Sequence, residues 1–241
     1  MLLHLFSTWG IHMTKAHNRV LVPAETVEGT RLCHELIHRR LKAIATDMMK
    51  HYGPYEGDQN AVPLCVGVQF GAMFIQPALL TCFNADFPTY IGTIRAKSYR
   101  KNGIRSPVEI TNPCFDCDVK GRKVLIIDDI VESGQTLLEV RKWFLNQGVD
   151  DVRTFALLDK PDKRVSDVVV DWVGFHLKPD QWVVGMGLDD NGLFRHFNNI
   201  VTLRDPRPDH LNTRKHHRSS SRDVSADHPS PGFVSSPRKP R

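Results

Sequence analysis

The run VLIIDDIVESGQTLLEV, Val124 to Val140, constrains the fold of this chain more than any other stretch. Val124 to Ile127 form a short, fully apolar strand, the pattern of a strand covered on both faces. Asp128 and Asp129 end it, and a Glu-Ser-Gly-Gln-Thr turn follows. Leu137, Val140 and Phe144 then lie on one helical stripe that stops at Gly148. A strand buried on both faces needs helices above and below it.

The rest of the chain repeats this alternation. From Arg31 to His51 the apolar residues Cys33, Ile37, Leu41, Ile44 and Met48 mark one face of a helix, stopped by Gly53-Pro54. Ala61 to Val68 is a buried strand, Phe70 to Phe83 an apolar helix shortened or kinked by Pro77, and Thr89 to Ala96 a further strand. Asp151 to Asp159 and Gln181 to Gly187 add two more. Between them, Lys97 to Lys123 is polar and aperiodic, a loop of a length that marks either a functional lid or elements the pattern misassigns. Alternating strands and helices predict an α/β fold with a doubly wound, mostly parallel sheet, whose ligand sits beyond the carboxyl ends of the strands. Asp128 and Asp129 stand at such an end.

Composition narrows the function. The 241 residues suit one domain with extensions, and the formal charge is +5. From Arg204 onward nine Lys/Arg face four Asp, which accounts for the whole excess and leaves the folded part near neutral. No nucleic-acid surface is therefore expected on the domain. The Ser, Pro and charge of His216 to Arg241 offer too little apolar area to offset ordering, so this tail is expected to be disordered. Five scattered cysteines, an odd count, point to reduced thiols, and the Cys114/Cys117 pair has no second ligand pair for zinc. No signal peptide or membrane span is found, so a soluble, cytoplasmic protein is expected.

The turn after the buried strand gathers backbone N–H groups at the positive end of a helix, which makes an anion site. Gly134 lets a ligand approach the backbone, and Ser133 and Thr136 add hydroxyl donors. The spacing is that of neither a nucleotide P-loop nor a nucleophile elbow. What remains is a cradle for a single phosphate beside Asp128 and Asp129, which can accept hydrogen bonds from vicinal hydroxyls and, with magnesium, organise a polyphosphate. A sugar phosphate carrying a diol satisfies both.

These residues resemble the phosphoribosyl-pyrophosphate signature of the type I phosphoribosyltransferases, and further stretches resemble their hypoxanthine-guanine branch. TIRAKSY, with Ser98 and Tyr99, is similar to the strand leading into that family's mobile lid. LLDKPD carries Lys160 where the family's lysine meets the purine 6-oxo group. Val170 to Leu203 tracks the family's C-terminal half. The likeness spans Val20 to Leu203, which leaves 1–19 as an N-terminal extension and 204–241 as a basic tail. It implies the type I fold, with a lid and a small hood.

The resemblance also implies roles. Asp128 and Asp129 hold the ribose hydroxyls and the magnesium shell, to which Asp189 contributes. Glu132, Ser133, Gly134, Gln135 and Thr136 hold the 5′-phosphate, and Glu132 also takes the proton at purine N7. Gln181, Trp182 and Val183 bind the purine with Lys160, and Arg195 meets pyrophosphate. The implied activity is purine salvage. Hypoxanthine or guanine joins phosphoribosyl pyrophosphate to give the nucleoside monophosphate, with Mg2+ as cofactor, in a homodimer or homotetramer. Two departures imply a reduced rate: Glu132 stands where the family has Asp, and Gly67 to Gly71 lacks the family's pyrophosphate lysine. The alternative they raise is a silent relative that binds purine nucleotide as a regulatory or interaction module.

Overall fold

The computed structural model describes residues 13–14, 19–23, 31–97, 100–101, 104–105 and 108–204. The rest of the expected extension, the lid pair Ser98 and Tyr99, and the tail beyond Arg204 lie outside the described residues. Two units divide the chain, Met1–Pro206 and Arg207–Arg241, and all described elements belong to the first.

In chain order these are β1 (Met13–Thr14), β2 (Arg19–Pro23), α1 (His34–Tyr52), β3 (Leu64–Gln69), α2 (Ala72–Leu80) and β4 (Tyr90–Lys97). Next come β5 (Arg100–Lys101), β6 (Ile104–Arg105), β7 (Glu109–Phe115), β8 (Lys123–Val131), α3 (Gln135–Asn146) and β9 (Asp151–Asp159). A single 3-10 turn, Pro161–Lys163, precedes β10 (Trp172–His176), β11 (Val183–Val184) and β12 (Val201–Arg204).

Six strands form the main sheet in the order β10-β9-β8-β3-β4-β7, all parallel except β7. Side chains alternate across it, as the period of two requires. Leu125 and Ile127 of β8 pack with Phe155 and Leu157 among the residues of α1 and α2, whereas Val124 and Ile126 pack with Leu137, Val140 and Phe144 of α3. Helices cover both faces, which is the doubly wound arrangement. A separate four-stranded antiparallel sheet, β1-β2-β12-β11, is the hood, and it takes in Met13–Thr14 from the expected extension.

The strand order decides where a ligand can sit. From β3 the chain runs through α2 to its neighbour β4 on one side. From β8 it runs through α3 to β9 on the other. Parallel neighbours whose connections leave in opposite directions open a crevice at their carboxyl ends. That crevice lies between the loop after β3 and the turn after β8.

Several elements differ from the sequence expectation. The polar stretch Lys97 to Lys123 contains the edge strand β7, together with the short β5-β6 pair. Only Ile110, Thr111 and Phe115 of β7 are even partly covered, so apolar alternation is lost, and Pro113 is tolerated because an edge strand leaves N–H positions unpaired. Of Gln181 to Gly187 only Val183–Val184 is strand, and it belongs to the hood. The edge strand β10 is fastened where Asp171 accepts hydrogen bonds from Thr154 N at 2.8 Å and Thr154 Oγ1 at 2.7 Å.

Phe144 is fully buried, with ring centroids 5.6 Å from Phe115 and 5.0 Å from Trp143. Phe144→Ala is expected to cost about 3–5 kcal/mol, the usual range for emptying an aromatic site, read as a lower midpoint in urea unfolding.

Candidate active site

The crevice holds a cavity of about 550 Å³, a size suited to a small-molecule ligand. Two segments line most of it: Val68, Gln69, Phe70 and Gly71 at the end of β3 and just beyond it, and Asp128 to Gly134 with Thr136 and Leu137, from the end of β8 into α3. Asp189 and Arg195 complete it. The acids and small residues singled out in the sequence therefore converge on one site. Gln135 does not line the cavity; it opens α3, and its N–H lies 3.5 Å from Ser133 Oγ.

The anion turn depends on Gly134. Its φ of 79° is left-handed, and a Cβ there would overlap Ser166 Oγ and Val168, so both conformation and space require glycine. The segment beneath braces the turn: Val165 N and Ser166 Oγ donate to the Ser133 carbonyl at 3.1 and 3.0 Å. Nothing in the turn sequence announced Ser166, because the contact crosses from another loop.

Asp128 is buried and Asp129 half-buried. Burial pushes both carboxyls up. Asp128 is raised furthest because the neighbouring Asp129 charge adds to it, while the Ile130 N–H and Arg195 hold Asp129 back. A pair of desolvated carboxylates at the mouth of a cavity gains from a ligand that brings hydroxyl donors or a divalent cation. Gly71 lies so close that a Cβ on it would overlap the Asp129 carboxylate, and a Cβ on Gly187 would overlap the Gly71 carbonyl oxygen. Three segments distant in sequence thus meet here, Gly187 and Gly71 backbone to backbone and Gly71 against the Asp129 side chain.

Parallel register explains the third feature. Val131 pairs with Asp159 across β8 and β9, so the next residues, Glu132 and Lys160, emerge side by side. Lys160 is only 2% exposed, and its Nζ donates to Glu132 Oε1 at 2.7 Å and to the Gln181 carbonyl at 2.6 Å. Lys163 adds a longer contact to Glu132 at 3.4 Å. Burial alone would raise the Glu132 carboxyl, but the hydrogen bond and charge of Lys160, helped by Lys163, hold it below its usual range. Lys160 is itself lowered, by burial, with Glu132 opposing.

Other expected residues are placed less directly. Val183 is buried, Trp182 is 52% exposed, and neither lines the cavity, although Gln181 reaches Lys160 through its carbonyl. Arg195 meets Asp189 at 2.6 Å and donates to the Gly187 carbonyl. Asp189 also accepts the Gly192 N–H at 2.6 Å, so it is committed to Arg195 and its own turn. Among the described residues no three His, Cys, Asp or Glu side chains gather as a metal cage, and the expected grouping of Asp189 with Asp128 and Asp129 is not formed. All five cysteines are free. Among the described residues no helix is long and apolar enough to cross a membrane.

The family model for the phosphoribosyl transferase domain matches residues 37–191, which contain β8, the anion turn and Lys160. The chain belongs to the phosphoribosyltransferase family. Within it, this phosphoribosyltransferase is a divergent relative of the hypoxanthine-guanine branch. It is 30% identical over 182 residues to the hypoxanthine-guanine phosphoribosyltransferase of Bacillus subtilis, an alignment covering 74% of this chain and 94% of that one. The human protein of the same name is 30% identical over 185 residues, covering 75% and 83%. A crystal structure of a hypoxanthine phosphoribosyltransferase from Staphylococcus aureus superposes with a TM-score of 0.65 at 28% identity, covering 79% of this chain and 95% of that one.

The Glu132 pair gives stability with a definite pH sign. A depressed carboxyl stabilises above its unfolded-state value, and that contribution is lost as pH falls through the lower folded value. Glu132→Gln is thus expected to melt below the parent at neutral pH, with the gap closing on acidification beneath the usual carboxylate range. Thermal melts across pH, followed by circular dichroism, check this.

Proposed function

We propose that this phosphoribosyltransferase works in purine salvage, joining hypoxanthine or guanine to phosphoribosyl pyrophosphate and releasing pyrophosphate with IMP or GMP. One observation carries the reading. Along β8 and its turn stand, in order, an acid pair suited to ribose hydroxyls, Glu132 locked to a buried lysine, and a braced anion cradle. These match the sugar, base and phosphate of a single nucleotide. Both relatives named above carry this activity in their names, and no observation favours the silent binding module.

The chemistry follows from the donors. The purine N9 attacks the anomeric carbon while the bond from that carbon to pyrophosphate oxygen breaks. Lys160 has three N–H donors and spends two on Glu132 and Gln181, which leaves one for the 6-oxo oxygen of the base. Glu132 stays ionised at neutral pH, so it can accept the N7 proton, and docking of the base must loosen its pair with Lys160. Asp128 and Asp129 accept from the ribose hydroxyls and face the positive charge that develops on the sugar. Ser133, Gly134 and Thr136 receive the 5′-phosphate at the amino end of α3, with Gln135 contributing its backbone. Arg195 faces the departing pyrophosphate, and the exposed face of Trp182 is available to stack on the purine.

Magnesium fits this acid pair better than a protein-only cage, since Mg2+ usually combines one or two carboxylates with substrate phosphates. Asp128 and Asp129 would hold it, and when bound it would neutralise charge on the leaving pyrophosphate.

Calorimetry with GMP and IMP is expected to show binding that Thr136→Ala weakens about tenfold, the loss of one or two hydrogen bonds to a charged group. An unchanged affinity would remove Thr136 from the cradle. In a coupled assay with phosphoribosyl pyrophosphate, magnesium and each base, Glu132→Gln should turn over at least about a hundredfold more slowly while still binding monophosphate. Parent-like turnover by that variant would exclude Glu132 as the base.

A further inference from the structure

Four carboxylates line the cavity, Asp128, Asp129, Glu132 and Asp189, against one cation, Arg195. That cation is already engaged by Asp189 and the Gly187 carbonyl. A substrate that brings a diphosphate into so acidic a cavity needs further positive charge from the protein, even with a divalent ion present. The end of β3 and the loop beyond it supply none, because they read Val68, Gln69, Phe70, Gly71. Gln69 is also turned aside, with its amide nitrogen donating to Thr93 Oγ1 at 2.9 Å.

The neighbouring strand carries the missing charge. β3 and β4 pair in parallel with Gln69 opposite Arg95, so Arg95 leaves the sheet at the same carboxyl edge. Its guanidinium lies over the Phe70 ring, 5.5 Å from the centroid. Phe70 itself lines the cavity and is 46% exposed, unusual for a phenylalanine with no apolar duty there. Among the described residues no hydrogen-bond or carboxylate partner meets the Arg95 guanidinium, and its Nε is buried without one. A guanidinium resting on an aromatic face keeps its charge and its edge donors while the ring fixes its plane. Arg95 does not itself line the cavity; it is a cation stacked on a lining residue that cannot compete for its hydrogen bonds.

We propose that Arg95, braced on Phe70, binds the pyrophosphate end of the substrate, so that an arginine from β4 replaces the lysine this family places in the loop after β3. The inference rests on the phosphoribosyltransferase reading of the site. Arg95 is the binding residue, and Phe70 is a positioning residue acting through it. A planar fork suits a diphosphate, whose adjacent oxygens accept two parallel N–H bonds. The phosphate cradle on the far side of the acid pair is untouched by this contact, so the two anion sites separate experimentally.

The test is calorimetry with magnesium pyrophosphate and, separately, with GMP, on the full chain carrying Arg95→Gln, Phe70→Leu, or Arg95→Gln with Phe70→Lys. Arg95→Gln is expected to weaken pyrophosphate about tenfold or more, as for loss of charge-assisted bonds, with GMP affinity held within about twofold. Phe70→Leu should weaken pyrophosphate by a smaller factor, and the double variant should recover much of the loss by placing a cation in the loop itself. Unchanged pyrophosphate affinity in Arg95→Gln would overturn the inference, and so would a parallel fall in GMP affinity, which marks a merely structural role. Parent turnover separates the two readings. An active parent with an indifferent Arg95→Gln refutes Arg95 alone. A parent that binds pyrophosphate through Arg95 yet processes no purine refutes the activity and leaves the anion site standing.

Discussion

The parallel pairing of β3 with β8, with crossovers leaving on opposite sides, is the constraint on which the site depends. Each strand ends in a loop that cannot follow the other, so the crevice between them is a product of connectivity before any side chain is chosen. The sequence then fills it. β8 is apolar on both faces from Val124 to Ile127, so the polar side chains that follow, Asp128 and Asp129, are delivered to the crevice mouth at fixed height. Register with β9 does the same for Lys160, and register with β4 for Arg95.

Such placement sets charges where burial opposes them. The acid pair is pushed up by desolvation, and Lys160 is pushed down for the same reason. A site whose groups are ill at ease in the free protein can recover that free energy on the ligand, provided its opposite charges are kept from simply annihilating one another. Here they are partitioned: Glu132 neutralises Lys160, Asp189 neutralises Arg195, and the acid pair and Arg95 are left without a fixed counter-ion among the described residues. The unsatisfied groups are those suited to the sugar and the diphosphate, the parts of the substrate that change bonding in the reaction.

Much of this was legible in the sequence because local chemistry carried it. An unbroken apolar run marks a central strand whatever surrounds it, and a small-residue turn before a helical stripe marks an anion site. The edge strands β7 and β10 were harder, since half-exposed strands lose alternation and draw their stability from a partner strand. The closeness of Gly71 to Asp129, and of Gly187 to Gly71, was illegible for a sharper reason. Close approach leaves only a missing side chain as its trace, and a glycine in a turn reads the same whether its neighbour is water or another backbone. The Arg95 stack was hidden likewise: it needs the β3-β4 register, and register is a tertiary fact.

The hood has a consequence for how the protein is made. β2 is made before every strand of the main sheet, yet apart from β1 its partner in the hood is β12, which comes about 180 residues later in synthesis, roughly ten seconds or more at ordinary elongation rates. Every strand of the main sheet emerges in that interval. The nascent chain can therefore settle its central layer, with the acid pair and the turn after β8 in place, while the hood is still waiting for its second half.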